Sequence, residues 1–204
     1  MLAEFIGVTV FLLAIVGSKN PFSLSIALGL MVLVTGNISG GHLNPAVSLY
    51  FFSRKELSGL DFVGYLVAQA AGAFAGVALA AFFKAGDIAG FTTASQTFTP
   101  ALFVSEVLAT AGLVWIIATL IQNKQVQVIP FALTLWVLAA SMFTPTGAQA
   151  NPAVTLGLMF NGNQSLYGGA MLILAQIVGL MVAVLLGMLF TSATAKKKAA
   201  AKKK

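Results

Sequence analysis

The tripeptide Asn-Pro-Ala occurs twice, as Asn44-Pro45-Ala46 and as Asn151-Pro152-Ala153. Asn is a strong N-cap and Pro is favoured at the first helical position, so each copy predicts the start of a helix. About eight apolar residues follow each copy, which at roughly 1.5 Å per residue is too short to cross a ~30 Å hydrocarbon core. We therefore predict two half-helices that enter a membrane from opposite sides and bring both asparagines near its midplane.

The composition excludes a soluble domain. Of the 204 residues, 59% are hydrophobic and 8% are charged, with a mean hydropathy of +0.97. The net charge of +6 comes from six lysines in the last nine residues, 196–204. This tail predicts contact with anionic lipid on the cytoplasmic side rather than nucleic-acid binding. With no cysteine and one histidine, we expect no disulfide, metal or cofactor.

Six apolar segments predict six transmembrane helices in one domain, 1–195, followed by a cytoplasmic tail, 196–204. The first is short, and a cleaved signal peptide is the alternative. Glu4 interrupts the segment and no basic residue precedes it, which favours a retained helix. The segments are about Leu2 to Val16, Phe22 to Ile38, Phe62 to Phe83, Leu102 to Ile121, Val126 to Phe143 and Gly168 to Phe190.

The distribution of basic residues predicts the orientation. If the N-terminus is inside, Arg54, Lys55, Lys124 and the tail lysines are also inside, which is nine of the eleven basic residues. Lys19 and Lys84 are then outside. Because loops inside the cell are enriched in Lys and Arg, we expect both termini in the cytoplasm and the protein in the cell membrane.

The two halves of the chain, about 1–84 and 100–190, are copies of each other. Asn44 and Asn151 are 107 positions apart, and Gln69 recurs at the same offset as Gln176. Because each half has three spans, an odd number, the second copy enters the membrane in the opposite orientation. An inverted repeat with broken helices places a binding site at the midplane. Small residues at four-residue spacing, which let helices approach closely, recur as Ala68, Gly72, Gly76 and Ala80 and as Ala175, Gly179, Ala183 and Gly187.

Several motifs together resemble the major intrinsic protein family, the aquaporins and glycerol facilitators. They are AEF with Glu4, SGGHLNPAVS, YLVAQAAG, SEVLAT with Glu106, LTL and TGAQANPA. The resemblance implies an all-α membrane protein, with six transmembrane helices in a right-handed bundle, two re-entrant half-helices, one pore per subunit and assembly as a homotetramer.

Two capping asparagines suit a channel for neutral solutes. In each cap the side-chain oxygen accepts a backbone N–H, so Asn44 and Asn151 both retain an amide NH₂ for a passing oxygen. Each half-helix N-terminus adds about half a positive charge, which disfavours cations and protons. The loops before the caps are expected to turn backbone carbonyls into the lumen; their residues are Gly40, Gly41, His42, Leu43, Ala148, Gln149 and Ala150.

Three polar side chains in the apolar spans and loops have alternative interpretations. Glu4 and Glu106 either relay protons or accept backbone N–H groups of the two loops. We favour loop support, because neither has a second acidic residue nearby, and the family resemblance implies it too. His42 is interpreted as a residue whose carbonyl lines the pore, with pH gating as the alternative.

The outer filter departs from the family. Most water-selective relatives have an arginine directly after the second Asn-Pro-Ala, where this chain has Val154. By resemblance the other filter positions are Leu24, Ala148 and, in the fifth helix, Val137 or Ala139. None is charged or aromatic, so a wholly apolar constriction is expected. It would be either a wide mouth for glycerol, urea, ammonia or gases, or a narrow neck that passes water slowly.

These observations favour a passive channel for water and small neutral solutes over an enzyme. A structural membrane protein with a closed pore and an ion-coupled transporter are the alternatives. The transporter would need more intramembrane charges than the two glutamates supply.

Overall fold

The structure is a computed structural model that describes residues 1–83, 88–90 and 98–201, with side chains described as far as residue 190. Regular structure in these ranges is helical, which confirms the predicted fold class. The helices are α1 (Leu2–Ser18), α2 (Pro21–Ser39), α3 (Pro45–Ser53), α4 (Gly59–Phe82), α5 (Pro100–Gln122), α6 (Ile129–Phe143, after a 3-10 turn at Val126–Val128), α7 (Pro152–Phe160) and α8 (Leu166–Ala201).

The six predicted spans match the six long helices. Five stretches are long and apolar enough to cross a membrane: Pro21–Ser39, Gly59–Phe82, Pro100–Gln122, Val126–Phe143 and Leu166–Phe190. The sixth, α1, has 17 residues and reaches about 25 Å. The backbone of α8 continues to residue 201, while Lys84, the tail side chains and residues 202–204 lie outside the described part of the chain.

The two half-helices begin at the predicted asparagines. α3 and α7 have nine residues each, with Pro at their first positions. Asn44 has extended backbone, and its Oδ1 accepts the N–H of Ala46 at 2.8 Å. Asn151 caps α7 in the same way, accepting from Ala153 at 3.0 Å. Each half-helix therefore starts without a preceding helical turn, which leaves its N-terminus at the centre of the bundle.

Glycines let the spans of each half pack backbone to backbone. A Cβ added at Gly72 or Gly76 of α4 would lie 2.5–2.6 Å from carbonyl oxygens of α1, and one at Gly179 of α8 would lie 2.6 Å from the carbonyl oxygen of Val107 in α5. The predicted small-residue ladder does not extend to Gly187, where an added Cβ would meet no described atom within 4 Å. Nearby, Trp115 of α5 stacks on Phe190 of α8.

Gly179→Ala is expected to destabilise the bundle by about 1–3 kcal/mol, because the methyl group would force α5 and α8 apart. The midpoint of thermal unfolding in detergent measures this effect. Gly36→Ala in α2 is the matched control, since its Cβ would meet no described atom within 4 Å and Ala is the better helix former. Equal midpoints for the two variants would show that α5 and α8 do not depend on this contact.

Candidate functional site

The two capping asparagines are joined tip to tip. Asn44 Nδ2 donates to the carbonyl oxygen of Ala150 at 2.8 Å, and Asn151 Nδ2 donates to the carbonyl oxygen of Leu43 at 2.8 Å. Asn44 is 4% exposed and Asn151 is 2% exposed. An amide nitrogen carries two hydrogens, so each asparagine uses one in this reciprocal contact. The whole NH₂ group of each was expected to serve the lumen, whereas the structure leaves one N–H of each for it.

Two buried carboxylates support the loops that precede the caps. Glu4 accepts the backbone N–H groups of His42 at 3.0 Å and Leu43 at 2.6 Å. Glu106 accepts those of Gln149 at 3.0 Å and Ala150 at 2.7 Å. Ser39 Oγ also donates to Glu4. Carboxylates that accept several donors hold irregular backbone at membrane depth, and both glutamates are engaged in this way.

A glutamine and a hydroxyl residue complete each support, and the sequence analysis missed this role. Gln69 Nε2 donates to Glu4 Oε2 at 2.8 Å and to Ser48 Oγ at 3.0 Å. Gln176 Nε2 donates to Glu106 Oε2 at 2.7 Å and to Thr155 Oγ1 at 2.9 Å. The two glutamines were used only as markers of the repeat. Their signal was a polar side chain inside an apolar span, which requires a buried partner.

The loops hold residues other than glycine in the left-handed region. Leu43, Ala148 and Ala150 have φ values of 49°, 53° and 47°, a conformation that costs of order 1–3 kcal/mol unless its surroundings enforce it. The carboxylate bonds to Leu43 and Ala150 provide that enforcement. The carbonyls of these two residues were expected to line the lumen, but they already accept the asparagine amides.

His42 is held by its side chain as well as its backbone. Its ring stacks on Phe51 with centroids 4.4 Å apart, lies edge-on to Tyr65 at 5.2 Å, and places Nδ1 3.2 Å from Ser48 Oγ. The role predicted for His42 rested mainly on its carbonyl. His42 also lines a cavity beside the asparagines.

A cavity of about 20 Å³ lies at the asparagine pair, and we call it the central cavity. A volume of this size holds about one water molecule. Apolar side chains from α1, α2, α5 and α6 line it opposite the polar groups. The lining residues are Phe11, Leu28, Val32, His42, Asn44, Val47, Leu113, Leu133, Val137, Gln149 and Asn151.

A wider cavity of about 370 Å³ opens on the side of Lys19; we call it the outer cavity. Three of the predicted filter positions, Leu24, Ala148 and Val154, line this cavity. Val137 does not, because it lines the central cavity, and Ala139 is exposed on the opposite face of α6. One turn after Val137, Ser141 is the α6 residue that lines the outer cavity.

The outer cavity as a whole is not apolar, although the three predicted filter positions that line it are. Polar residues from α6 and the loops join the apolar filter positions in the outer cavity: Lys19, Ser141, Thr146, Gln149 and Asn163. Phe11 of α1 also lines both this cavity and the central one, so an aromatic ring stands in the neck between them.

A third cavity, of about 490 Å³, lies near Gly40 and Phe51; we call it the inner cavity. It shares Val32 with the central cavity, whereas Phe11 and Gln149 are shared between the central and outer cavities. Two wide cavities therefore flank one narrow passage at the asparagine pair.

Comparison with known proteins agrees with this geometry. A family model described as "Major intrinsic protein" matches residues 1–144 and 123–204. The chain belongs to the major intrinsic protein family. The resemblance drawn from its motifs is thereby confirmed, and this major intrinsic protein is an integral, multi-pass membrane protein of a family of channels.

Curated relatives and a solved structure share most of their length with this major intrinsic protein. "Aquaglyceroporin AqpS" of Rhizobium meliloti is 33% identical over 80% of the chain and 76% of its own length. "Glycerol uptake facilitator protein-like 6" of Lactiplantibacillus plantarum is 31% identical over 89% of the chain and 93% of its own length. The solved structure of the aquaglyceroporin from Plasmodium falciparum has a TM-score of 0.66 at 21% identity, covering 92% of each chain, and shows the same fold.

Proposed function

We propose that this protein is a passive channel for water and small neutral solutes, with its narrowest passage at the asparagine pair. The observation that carries the proposal is the central cavity of about 20 Å³ lined by Asn44 and Asn151. Each asparagine retains one amide N–H, so a solute oxygen in this cavity meets donors from both half-helices. Relatives whose names include aquaglyceroporin, glycerol uptake facilitator and aquaporin support the same solute class.

Exclusion of cations and protons follows from the same groups. The N-termini of α3 and α7 meet at the centre, and each adds roughly half a positive charge. A water that accepts hydrogen bonds from both asparagines is poorly placed to accept a proton as well. Within the part of the chain that the structure describes, the carboxylates nearest this passage are Glu4 and Glu106, and both are occupied by loop N–H groups.

Light scattering of reconstituted vesicles tests the proposal. Vesicles with the protein should shrink and swell faster than empty ones under gradients of sucrose, glycerol and urea, and ammonia entry is followed with an internal pH dye. Water and solute fluxes equal to those of empty vesicles would reject a channel and favour a structural membrane protein.

Asn151→Asp is expected to let cations through. The carboxylate would place a full negative charge where a positive potential now stands, an interaction of about 4 kcal/mol with a cation 4 Å away. We expect cation conductance to rise by roughly tenfold or more, measured by dye-reported Na⁺ or K⁺ flux. Asn123→Asp, at the exposed end of α5, is the matched control. Wild-type conductance in the Asn151 variant would contradict exclusion by the donor pair.

The volume of the outer cavity favours a second candidate, a facilitator mainly for solutes larger than water. About 370 Å³ accommodates glycerol or urea with part of its hydration. A glycerol or urea permeability that exceeds that of vesicles containing a water-only channel would favour this candidate.

We also infer assembly as a homotetramer with both termini in the cytoplasm. An apolar stripe along α2 supports a lipid or subunit contact, since its residues recur at four-residue spacing and are exposed: Phe22, Ile26, Leu30 and Val34. Light scattering coupled to gel filtration distinguishes a tetramer from a monomer.

A further inference from the structure

The outer neck of the pore contains no fixed cation from α7, because Val154 follows the second Asn-Pro-Ala. We propose that the side-chain amide of Gln149 is a specificity-determining hydrogen-bond donor in this neck, where it binds an oxygen of a neutral hydroxylated solute. The inference rests on the proposed channel function and assigns solute selection to a residue outside the four filter positions of the sequence analysis.

The position of Gln149 places it on the path of every solute. Among the described residues, Gln149 and Phe11 are the two that line both the outer and the central cavity. Its backbone N–H is held by Glu106 at 3.0 Å, so the loop cannot readily carry the side chain away. A solute that passes from the outer cavity to the asparagine pair therefore passes this residue.

A chain of hydrogen bonds orients the amide. Gln176 Nε2 donates to the Glu106 carboxylate at 2.7 Å and to Thr155 Oγ1 at 2.9 Å. The Thr155 hydroxyl thus accepts from Gln176. Its own hydrogen has two acceptors, Gln149 Oε1 at 2.7 Å and the carbonyl oxygen of Asn151 at 3.3 Å, and the shorter contact, an ordinary O–H···O distance, is the stronger one. Because Oε1 is the anchored atom, Nε2 is the free end of the amide.

The free end has donors to offer. Gln149 Nε2 makes no hydrogen bond to any residue in the described part of the chain, and it carries two hydrogens. A partly exposed amide beside a cavity satisfies such donors with water or solute. The amide is neutral, so it supplies direction without the charge repulsion of an arginine.

The repeat places a polar side chain at the same point in the other half. His42 lies 107 positions before Gln149, and Ser48 lies 107 positions before Thr155. His42 Nδ1 is 3.2 Å from Ser48 Oγ, as Gln149 is bonded to Thr155. A hydroxyl four residues after each capping asparagine therefore anchors a polar side chain beside the passage. The Gln149 amide is the one on the outer side of the passage.

The walls around Gln149 indicate the chemistry of the solute. Phe11 and Val154 are apolar, and a solute that contacts them must give up water. An amide donor compensates this loss for a hydroxyl or carbonyl oxygen. The neck thus fits a neutral solute with a hydroxylated edge and a C–H face, and glycerol serves as the probe.

Gln149→Met tests the proposal, because methionine keeps the length of the side chain and removes the donors. The measurement is the ratio of glycerol to water permeability in reconstituted vesicles. We expect the ratio to fall about fivefold, the effect of losing one neutral hydrogen bond. Gln125→Met, at an exposed glutamine before α6, is the matched control and should keep the wild-type ratio.

Two substitutions at Thr155, the residue that anchors Gln149 Oε1, separate the orientation of the amide donor from the bulk of the Gln149 side chain. Thr155→Val removes the hydroxyl and should lower the ratio in the same direction, whereas Thr155→Ser keeps the hydroxyl and should restore it. If Gln149→Met passes no water, this pair decides the question. An unchanged ratio in Gln149→Met, or equal ratios for the Thr155→Val and Thr155→Ser variants, would overturn the role of Gln149 but leave the channel function standing. Wild-type vesicles without any flux would instead overturn the channel function and this inference with it.

Discussion

Replacing Glu106 by leucine is expected to abolish the folded channel. The side chain is 0% exposed and accepts three hydrogen bonds, from Gln149, Ala150 and Gln176. Leucine fills a similar volume but accepts none, and each buried donor left without a partner costs about 1–3 kcal/mol. Three such losses approach the 5–15 kcal/mol that stabilises a typical protein. The loop would also lose the contacts that hold Ala150 in its left-handed conformation.

The consequence should reach the other half of the pore. Ala150 presents its carbonyl to Asn44, so a displaced loop also removes the partner of the first capping asparagine. The yield of monodisperse protein in detergent and the water permeability of vesicles measure the loss. Glu106→Gln keeps the shape and one acceptor oxygen, and an intermediate effect is expected.

Glu56→Leu is the control for removing an acidic residue. Glu56 lies at the surface, where it pairs with Arg54 at 2.7 Å, and exposed ion pairs contribute about 0–1 kcal/mol. We expect wild-type yield and permeability from this variant. A Glu106→Leu protein that is monodisperse and conducts water normally would show that the loop does not depend on the carboxylate.

Val154→Arg is expected to reduce glycerol and urea permeability by roughly tenfold, a barrier increase of about 1.4 kcal/mol. Val154 is 2% exposed and meets Leu24 and Ala148 in the outer cavity. Arginine would extend across this cavity, which Ser141 and Thr146 also line. The larger solutes would then have to pass a narrower and more polar opening.

Val154→Leu serves as the control for volume without charge, and we expect from it a smaller reduction. Stopped-flow measurements of water, glycerol and urea permeability on the same vesicle preparations compare the three proteins. Unchanged glycerol and urea fluxes in the arginine variant would contradict the assignment of the outer cavity as the site of solute selection.

Sequence reasoning succeeded where the physical signal is local. An Asn-Pro pair caps a helix through atoms two residues away, so both half-helix starts were readable from the chain. A carboxylate inside an apolar span has to be compensated, so Glu4 and Glu106 were recognisable as buried acceptors. The six spans could be predicted because their signal is also local: the length and the hydropathy of each segment identify it.

Details that depend on helix rotation were not readable. Each residue turns an α-helix by about 100°, so an uncertain start changes which face meets the pore. α6 begins after a 3-10 turn at Val126–Val128, and this places Val137 beside the asparagines and Ser141 at the mouth. The tip-to-tip contact joins residues 106 and 108 positions apart; only the folded arrangement of the inverted halves specifies it.

The contact between the two asparagine tips is isologous. Each half gives the other one amide donor and receives it on the carbonyl that precedes its own asparagine, as two identical subunits do across a two-fold axis. The centre of the pore is in this sense a dimer interface within one chain. Neither half supplies the acceptor for its own asparagine amide, so the passage forms only after the second half has inserted. Loss of either asparagine side chain leaves a carbonyl oxygen of the other half without its donor.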